Sequence, residues 1–345
     1  MNLSPVKTGL VGLRFGAGLV NIRLFGTDNE KFVNITAVCD LDQDKADAFA
    51  AEHGIPAYYD LDKMLADADI EAVMLMTPPA GRTALIRKCL AAGKHVMTTK
   101  PFELNYEDAL AVLKEAQQKK LAVHLNSPAP YPSADLQQIR QWQQEFDLGM
   151  PVSANWETYI RYNEQPNGTW FDDPERCPAA PIFRIGIYGI NELIAIFGKV
   201  KAVNLFCSRI FTGRPTPDHA QMTMQFENGA IGSIFASFCI GDGTLYPSAL
   251  TLHFEKGTIR KTQVRRVECN EFTEIKMSLQ TIIDGKCFTR EVSLPASNRS
   301  GEYQFEMFWK SVREGIGKEI TTPEEIAEAV RVVNMMAEAE RNLNK

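Results

Sequence analysis

The stretch Val6-Lys7-Thr8-Gly9-Leu10-Val11-Gly12-Leu13-Arg14-Phe15-Gly16-Ala17-Gly18 decides the fold. Val6–Leu13 reads as a strand apolar on both faces, and the glycines of Gly12–Gly18 turn the chain into a helix over Ala17–Phe25. In that context a glycine turn brings backbone amides and a helix N-terminus against a pyrophosphate. Set on G-x-G-x-x-G/A, Gly12 holds the first position and Ala17 the last, but Arg14 stands at the second. Gly16 and Gly18 then have to supply the backbone freedom, or the Arg14 guanidinium pairs with the phosphates directly. Asp40 ends the next strand about 20 residues on, where a carboxylate takes both hydroxyls of an adenosine ribose and repels a 2′-phosphate. Leu41 and Asp42 add no cation there, so NAD is favoured over NADP. Read alone, the turn also suits a tight βα connection in a domain that binds something else.

Outward from the turn the same rhythm continues. Val33–Asp40, Ile70–Thr77, His95–Thr99 and Leu121–Ser127 read as strands, with helices over Gln43–His53, Arg82–Ala92 and Tyr106–Lys119 between them. Alternation of this kind predicts a doubly wound α/β sheet over residues 1–127. From 128 to 345 the texture changes. A helix near Ala134–Phe146 leads into an aromatic segment, Asn155–Phe171, and a second helix over Arg184–Phe197. Seven strands follow between Val200 and Leu294, with hairpin signals such as Glu227-Asn228-Gly229-Ala230 and Asp284-Gly285-Lys286. The expectation is an α/β second domain with a large, mostly antiparallel open sheet, closed by helices near Gly301–Gly315 and Pro323–Asn342. Those helices can cover only part of it, which predicts an apolar face buried in a homodimer or homotetramer.

The 345 residues fit two domains, and 45% hydrophobic with 23% charged residues excludes collagen-like, disulfide-scaffold and wholly disordered classes. A net charge of −6 offers no large attraction for nucleic acid or an anionic membrane. No apolar run nears the roughly 18 residues of a membrane span and no signal-peptide pattern opens the chain, so the expected compartment is the cytoplasm. Seven scattered cysteines without C-x-x-C spacing read as reduced thiols. His53, His219 and His253 show no metal-ligand spacing with one another or with Cys or Asp, and no metal is expected. His124 and Asn126 end the last strand of the first domain, the place for a substrate or nicotinamide contact.

Three further stretches make a family recognisable: Ala72-Val73-Met74-Leu75-Met76-Thr77-Pro78-Pro79, Gly93-Lys94-His95-Val96-Met97-Thr98-Thr99-Lys100-Pro101, and Ile185-Gly186-Ile187-Tyr188. With Phe226-Glu227-Asn228-Gly229-Ala230 they resemble the glucose-fructose oxidoreductase/inositol dehydrogenase (Gfo/Idh/MocA) family over nearly the whole chain. The resemblance implies a Rossmann domain, a second domain that commonly mediates oligomers, a nicotinamide cofactor and a sugar, inositol or related polyol as substrate. It implies cofactor contacts from Gly12, Arg14, Phe15, Gly16 and Asp40, and from Thr77, Pro78, Thr99 and Lys100 on later loops.

The family's E-K-P reads Thr99-Lys100-Pro101 here, so the lysine carries over and the acid does not. Its D-x-G-x-H-x-x-D segment reads Arg184-Ile185-Gly186-Ile187-Tyr188-Gly189-Ile190-Asn191. A tyrosine at the histidine position occurs in the branch with glucose-fructose oxidoreductase and dihydrodiol dehydrogenase, so Tyr188 is the expected acid/base, with the Lys100 ammonium favouring its phenolate. Read alone, the two suit a solvated lysine and a core-capping tyrosine better. Arg184 in place of the aspartate, and Arg82 in place of the frequent histidine, suggest a grip on an acidic group. The expected activity is hydride transfer between NAD(P) and a hydroxyl or carbonyl of a sugar, polyol or sugar acid. Two alternatives stand beside it: a glycosidase working by transient oxidation with a held NAD, and a non-catalytic sensor or scaffold whose site has decayed.

Overall fold

β1 (Val6–Val11) is buried at five of its six positions, as a central strand of a sheet covered on both faces must be. Around it the chain lays down α1 (Leu13–Arg23), β2 (Val33–Cys39), α2 (Gln43–His53), β3 (Ala57–Tyr58), α3 (Leu61–Asp67), β4 (Ala72–Leu75), α4 (Arg82–Ala91), β5 (His95–Thr98), α5 (Tyr106–Gln118) and β6 (Val123–His124). The strands form one parallel sheet in the order β3-β2-β1-β4-β5-β6. The order reverses between β1 and β4, so the loops after β1, β2, β4, β5 and β6 meet at the carboxyl edge where such sheets bind ligands. The sequence reading passed over α3, although Asp60 caps it by accepting from Lys63 N at 3.0 Å. This computed structural model describes residues 4–162, 164–268, 272–317 and 320–343. Six cysteines are free thiols among them, and Cys269 lies outside the described residues.

The chain divides into two units, the first running to Tyr131 and taking in Tyr303–Pro323, the second made of Pro132–Glu302 and the chain from Glu324. α8 (Phe305–Arg313) accordingly joins the parallel sheet's unit, whereas the sequence placed it over the large sheet. Its Phe305 and Phe308 enter the core formed by Val6, Leu24 and Ala122, and Arg313 Nη2 donates to Glu71 Oε2 at 2.9 Å and Pro5 O at 3.0 Å.

The second unit holds α6 (Ala134–Glu145), β7 (Pro151–Tyr159), α7 (Ile187–Phe197), β8 (Val200–Ser208), β9 (His219–Phe226), β10 (Ile231–Ser237), β11 (Thr244–Phe254), β12 (Gly257–Arg266), β13 (Ile275–Ile283), β14 (Lys286–Leu294) and most of α9 (Pro323–Leu343). Its eight strands run β14-β13-β12-β11-β7-β10-β9-β8, antiparallel except for the β7–β10 pair. The aromatic segment that carried no strand in the sequence reading supplies β7 at the middle of this sheet. Trp156 on β7 is buried against α7, where a side chain at Gly189 would stand 2.5 Å from its ring.

Lys261 lies on the covered face, inside. Its ammonium donates to Asp135 at 2.7 Å and Glu192 at 2.5 Å, and Glu192 also accepts from the Trp156 indole at 2.9 Å. The opposite face corrects an expectation. Asn204, Thr223, Ser233, Asn155, Thr251, Arg260, Ser278 and Glu291 stand in register across all eight strands, a polar row where an apolar face was predicted. Exposed apolar side chains on that side, Phe206, Ile231 and Ile282, are scattered between polar neighbours. The reason is the period of two: most of the apolar positions that mark these strands point to the covered face.

Candidate active site

In the first unit, Gly12 sits at φ 88°, and a side chain there would meet Met76 O at 2.9 Å, so only glycine fits the turn. Its amide donates to Cys39 O at 3.0 Å, and α1 starts at once, four residues earlier than the predicted Ala17. Arg14 and Phe15 therefore lie on the exposed first turn of a helix, and the second glycine is dispensable because Arg14 projects outward. Gly16 packs against Leu10 and Met76, while a side chain at Gly18 would meet open space. The turn needs Gly12 and Gly16 and does not need Gly18. Asp40 accepts from Leu13 N at 2.6 Å through one oxygen and from Asp42 N at 2.9 Å through the other. That fixes the carboxylate beside the N-terminus of α1 with acceptor capacity to spare for ribose hydroxyls.

The loops after β4 and β5 carry Thr77, Pro78, Thr99 and Lys100. Asn126 reaches them from the end of β6, its Oδ1 accepting from Lys100 N at 3.0 Å and from the Thr99 hydroxyl at 3.4 Å. Asn126, expected to contact substrate or nicotinamide, holds the backbone of the lysine through its Oδ1. Arg82 departs further from expectation. At 1% exposure its guanidinium donates to Thr99 O at 2.5 Å and Phe102 O at 3.0 Å, and also to Thr77 O and Pro101 O. Burial draws it down to about 10 against the pull of Glu103 and Tyr303, which leaves it charged at neutral pH. A guanidinium committed to four carbonyls clamps the protein's own loops, where a grip on an acidic substrate was expected. His124 is 2% exposed, against the Phe308 and Tyr131 rings, and burial lowers it to about 3. Enclosure disfavours the charged imidazolium and makes His124 a poor proton acceptor near neutral pH.

In the second unit the motif Arg184–Asn191 begins in a π-helical turn, Ile182–Gly186, and continues into α7. Such turns often mark functional sites. Tyr188 is half-buried on the first turn of α7, and Gly301, at φ 91°, leaves its ring room: a side chain there would stand 2.7 Å from Tyr188 Cε1. Arg184 is buried and bidentate to Glu164, at 2.7 and 2.9 Å, with Phe171, Phe238 and Tyr162 around its guanidinium at 3.8, 4.7 and 5.0 Å. Burial opposes its charge, but the Glu164 contacts outweigh burial and raise its pKa. Arg214, missed in the sequence, binds Asp172 at 2.5 Å and Gln165 O at 2.8 Å, so two arginines and two acids pin segment 164–172. The cation expected to attract an acidic substrate already holds a carboxylate of its own chain.

Asp218, His219 and Cys239, which no spacing in the sequence joins, come within 4.8 Å because β9 and β10 pair. Asp218 Oδ2 accepts from the amides of Ile210, Phe211 and Thr212, Oδ1 faces His219 Nδ1 at 3.1 Å, and the Cys239 thiol, pushed up to about 11, donates to Asp218 O. The three satisfy one another and anchor the loop before β9.

Residues 6–127 match the model of the oxidoreductase family with an NAD-binding Rossmann fold, and 136–260 match the GFO/IDH/MocA C-terminal domain. The chain belongs to the Gfo/Idh/MocA oxidoreductase family. It is 27% identical over 215 residues to an uncharacterised oxidoreductase of Schizosaccharomyces pombe, a match spanning 58% of this chain and about half, 54%, of that relative. Its fold is shared with a candidate NADPH-dependent oxidoreductase of Desulfitobacterium hafniense at a TM-score of 0.78 and 15% identity, covering 99% and 97% of the two chains. A levoglucosan dehydrogenase in complex with NADH superposes at 0.74 and 18% identity, covering 98% of each. Among the described residues no helix is long and apolar enough to cross a membrane.

Proposed function

We propose that this oxidoreductase transfers a hydride between NAD(H) and a hydroxyl or carbonyl of a sugar or polyol, with Lys100 and Tyr188 handling the proton. The observation that carries the reading is the carboxyl edge of the parallel sheet, where the Gly12 turn, the oriented Asp40 carboxylate and Lys100 stand on the loops after β1, β2 and β5. The sugar-like substrate and NADH of the levoglucosan dehydrogenase support the substrate class. With Arg82 and Arg184 both engaged internally, neutral polyols come ahead of sugar acids. Bound nicotinamide would supply the hydride chemistry. A panel of sugars, polyols and sugar acids, read at the NADH absorbance, tests the activity; no turnover with NADH bound would favour the second reading, a cofactor-binding sensor. One observation favours that alternative: the Arg184–Glu164 pair occupies the motif position where the family keeps an acid.

Cofactor choice follows from Asp40. NAD(H) should bind at least several-fold more tightly than NADP(H), and Asp40→Ala should erode the difference, because a carboxylate at the ribose repels a 2′-phosphate. Fluorescence titration of both reduced cofactors checks this; tighter NADPH binding by the wild type would point instead to the exposed Arg14. Assembly as a homodimer or homotetramer through the polar face of the large sheet is the quaternary proposal, and a monomer in light scattering at micromolar concentration would end it.

A further inference from the structure

Two loops at the carboxyl edge are tied by opposite charges. Residues 77–81 link β4 to α4, whose first turn adds Arg82 and Thr83, and residues 99–104 follow β5. Connections of this kind leave backbone groups unpaired and usually move. Here the carbonyls of Thr77, Thr99, Pro101 and Phe102 converge on the Arg82 guanidinium. The amides of Gly81, Thr83 and Leu104, at 3.3, 3.0 and 2.8 Å, and the Thr83 hydroxyl, at 3.0 Å, converge on the Glu103 carboxylate. Both side chains are buried, at 1% and 4% exposure, so neither faces a ligand directly. Carbonyls drawn to a cation and amides drawn to an anion cross-link the loops in both directions.

Lys100 sits inside this frame. Its own N–H is held by Asn126, its carbonyl accepts from the Thr99 hydroxyl at 3.3 Å, and the carbonyls before and after it end on Arg82. A lysine is a flexible four-carbon stem, so fixing its root narrows the space its ammonium can reach.

We propose that Arg82 and Glu103 are positioning residues for Lys100, a buried pair of opposite charge that locks segment 77–83 to loop 99–104 and so fixes the backbone from which the ammonium reaches the reacting groups. The proposal rests on the reading of Lys100 given above. Neither residue touches substrate in it; they act through the lysine, as near-attack geometry requires.

Amide hydrogen exchange on the full chain tests the lock without any substrate. In Arg82→Met and in the milder Glu103→Gln, exchange in 77–83 and 99–104 should quicken by about tenfold or more, with β1 and β2 unchanged. Arg82→Lys, which keeps a cation with three donors, should recover part of the protection. On a substrate found with the panel, both variants should lose about tenfold in kcat with KM and the NADH dissociation constant within roughly threefold, because misplacement of the lysine spares ground-state binding. Wild-type exchange in both loops overturns the proposal, as does faster exchange with kcat unchanged. Quicker exchange throughout the first unit would make the pair a general stabiliser and also overturns it. A wild-type protein that neither binds NADH nor turns over any compound overturns the functional reading instead, and the exchange result still decides whether the pair holds the loop.

Discussion

Tyr188→Phe and Lys100→Met should each lower kcat/KM by about 100-fold or more, the usual scale of general acid–base catalysis. Oxidising a secondary alcohol requires its hydroxyl proton to leave as the hydride departs. A phenolate favoured by an ammonium is a workable acceptor and becomes the phenol. Removing the phenolic oxygen deletes the proton acceptor, whereas removing the ammonium leaves it unassisted. NADH affinity should change far less, since the Gly12 turn and Asp40 are untouched. On the proposal that the two share one proton transfer, the double variant should be little worse than the poorer single one. Gly301→Ala offers a check that leaves both groups in place: its new methyl would press on the Tyr188 ring from 2.7 Å, and turnover should fall with it. Near-wild-type turnover by Tyr188→Phe on a confirmed substrate would move the base elsewhere, and burial makes the enclosed His124 a poor replacement.

Lys261→Met should cost the second unit about 3–5 kcal/mol, the penalty of breaking a buried ion pair by removing one partner. The substitution leaves Asp135 and Glu192, 2% and 8% exposed, facing each other without a cation. In the wild type, burial works against the Asp135 charge, but Lys261 outweighs it and holds the carboxyl below its usual range. Burial likewise opposes the Lys261 charge, and the two carboxylates outweigh it and raise the ammonium. A depressed acid stabilises above its unfolded value, near 4, and loses that contribution as pH falls through the folded one. A raised lysine stabilises fully below its unfolded value, near 10.4, and loses the contribution as pH rises through the folded one. The network therefore contributes across the whole neutral range. Denaturant unfolding of the variant should show its largest deficit near neutral pH and a smaller one as acid protonates the stranded carboxylates. A deficit under about 1 kcal/mol at neutral pH would mean that water or a rearranged partner replaces the lysine.

What the amino-acid order settles here is local. The doubly apolar Val6–Val11, the glycine turn after it, Asp40 at the end of the second strand and the capped helices between strands each depend on residues within a turn or two of one another, so the parallel sheet and its cofactor edge are legible without coordinates. The β-strand at Pro151–Tyr159 is not, because its place at the centre of the large sheet comes from pairing with Ile231–Ser237, far along the chain. Its aromatic side chains carry the same signal in a loop as in a strand. The charged residues divide in the same way. Arg82, Arg184 and Lys261 show only a cation, and a cation's role is set by what reaches it: four carbonyls from two loops, Glu164 within an aromatic box, and two buried acids from separate helices. Hydrophobic period and turn chemistry act over neighbouring residues and can be read in order. The partner that neutralises a buried charge is chosen by tertiary packing, and only the fold could turn two presumed substrate anchors into parts of the frame.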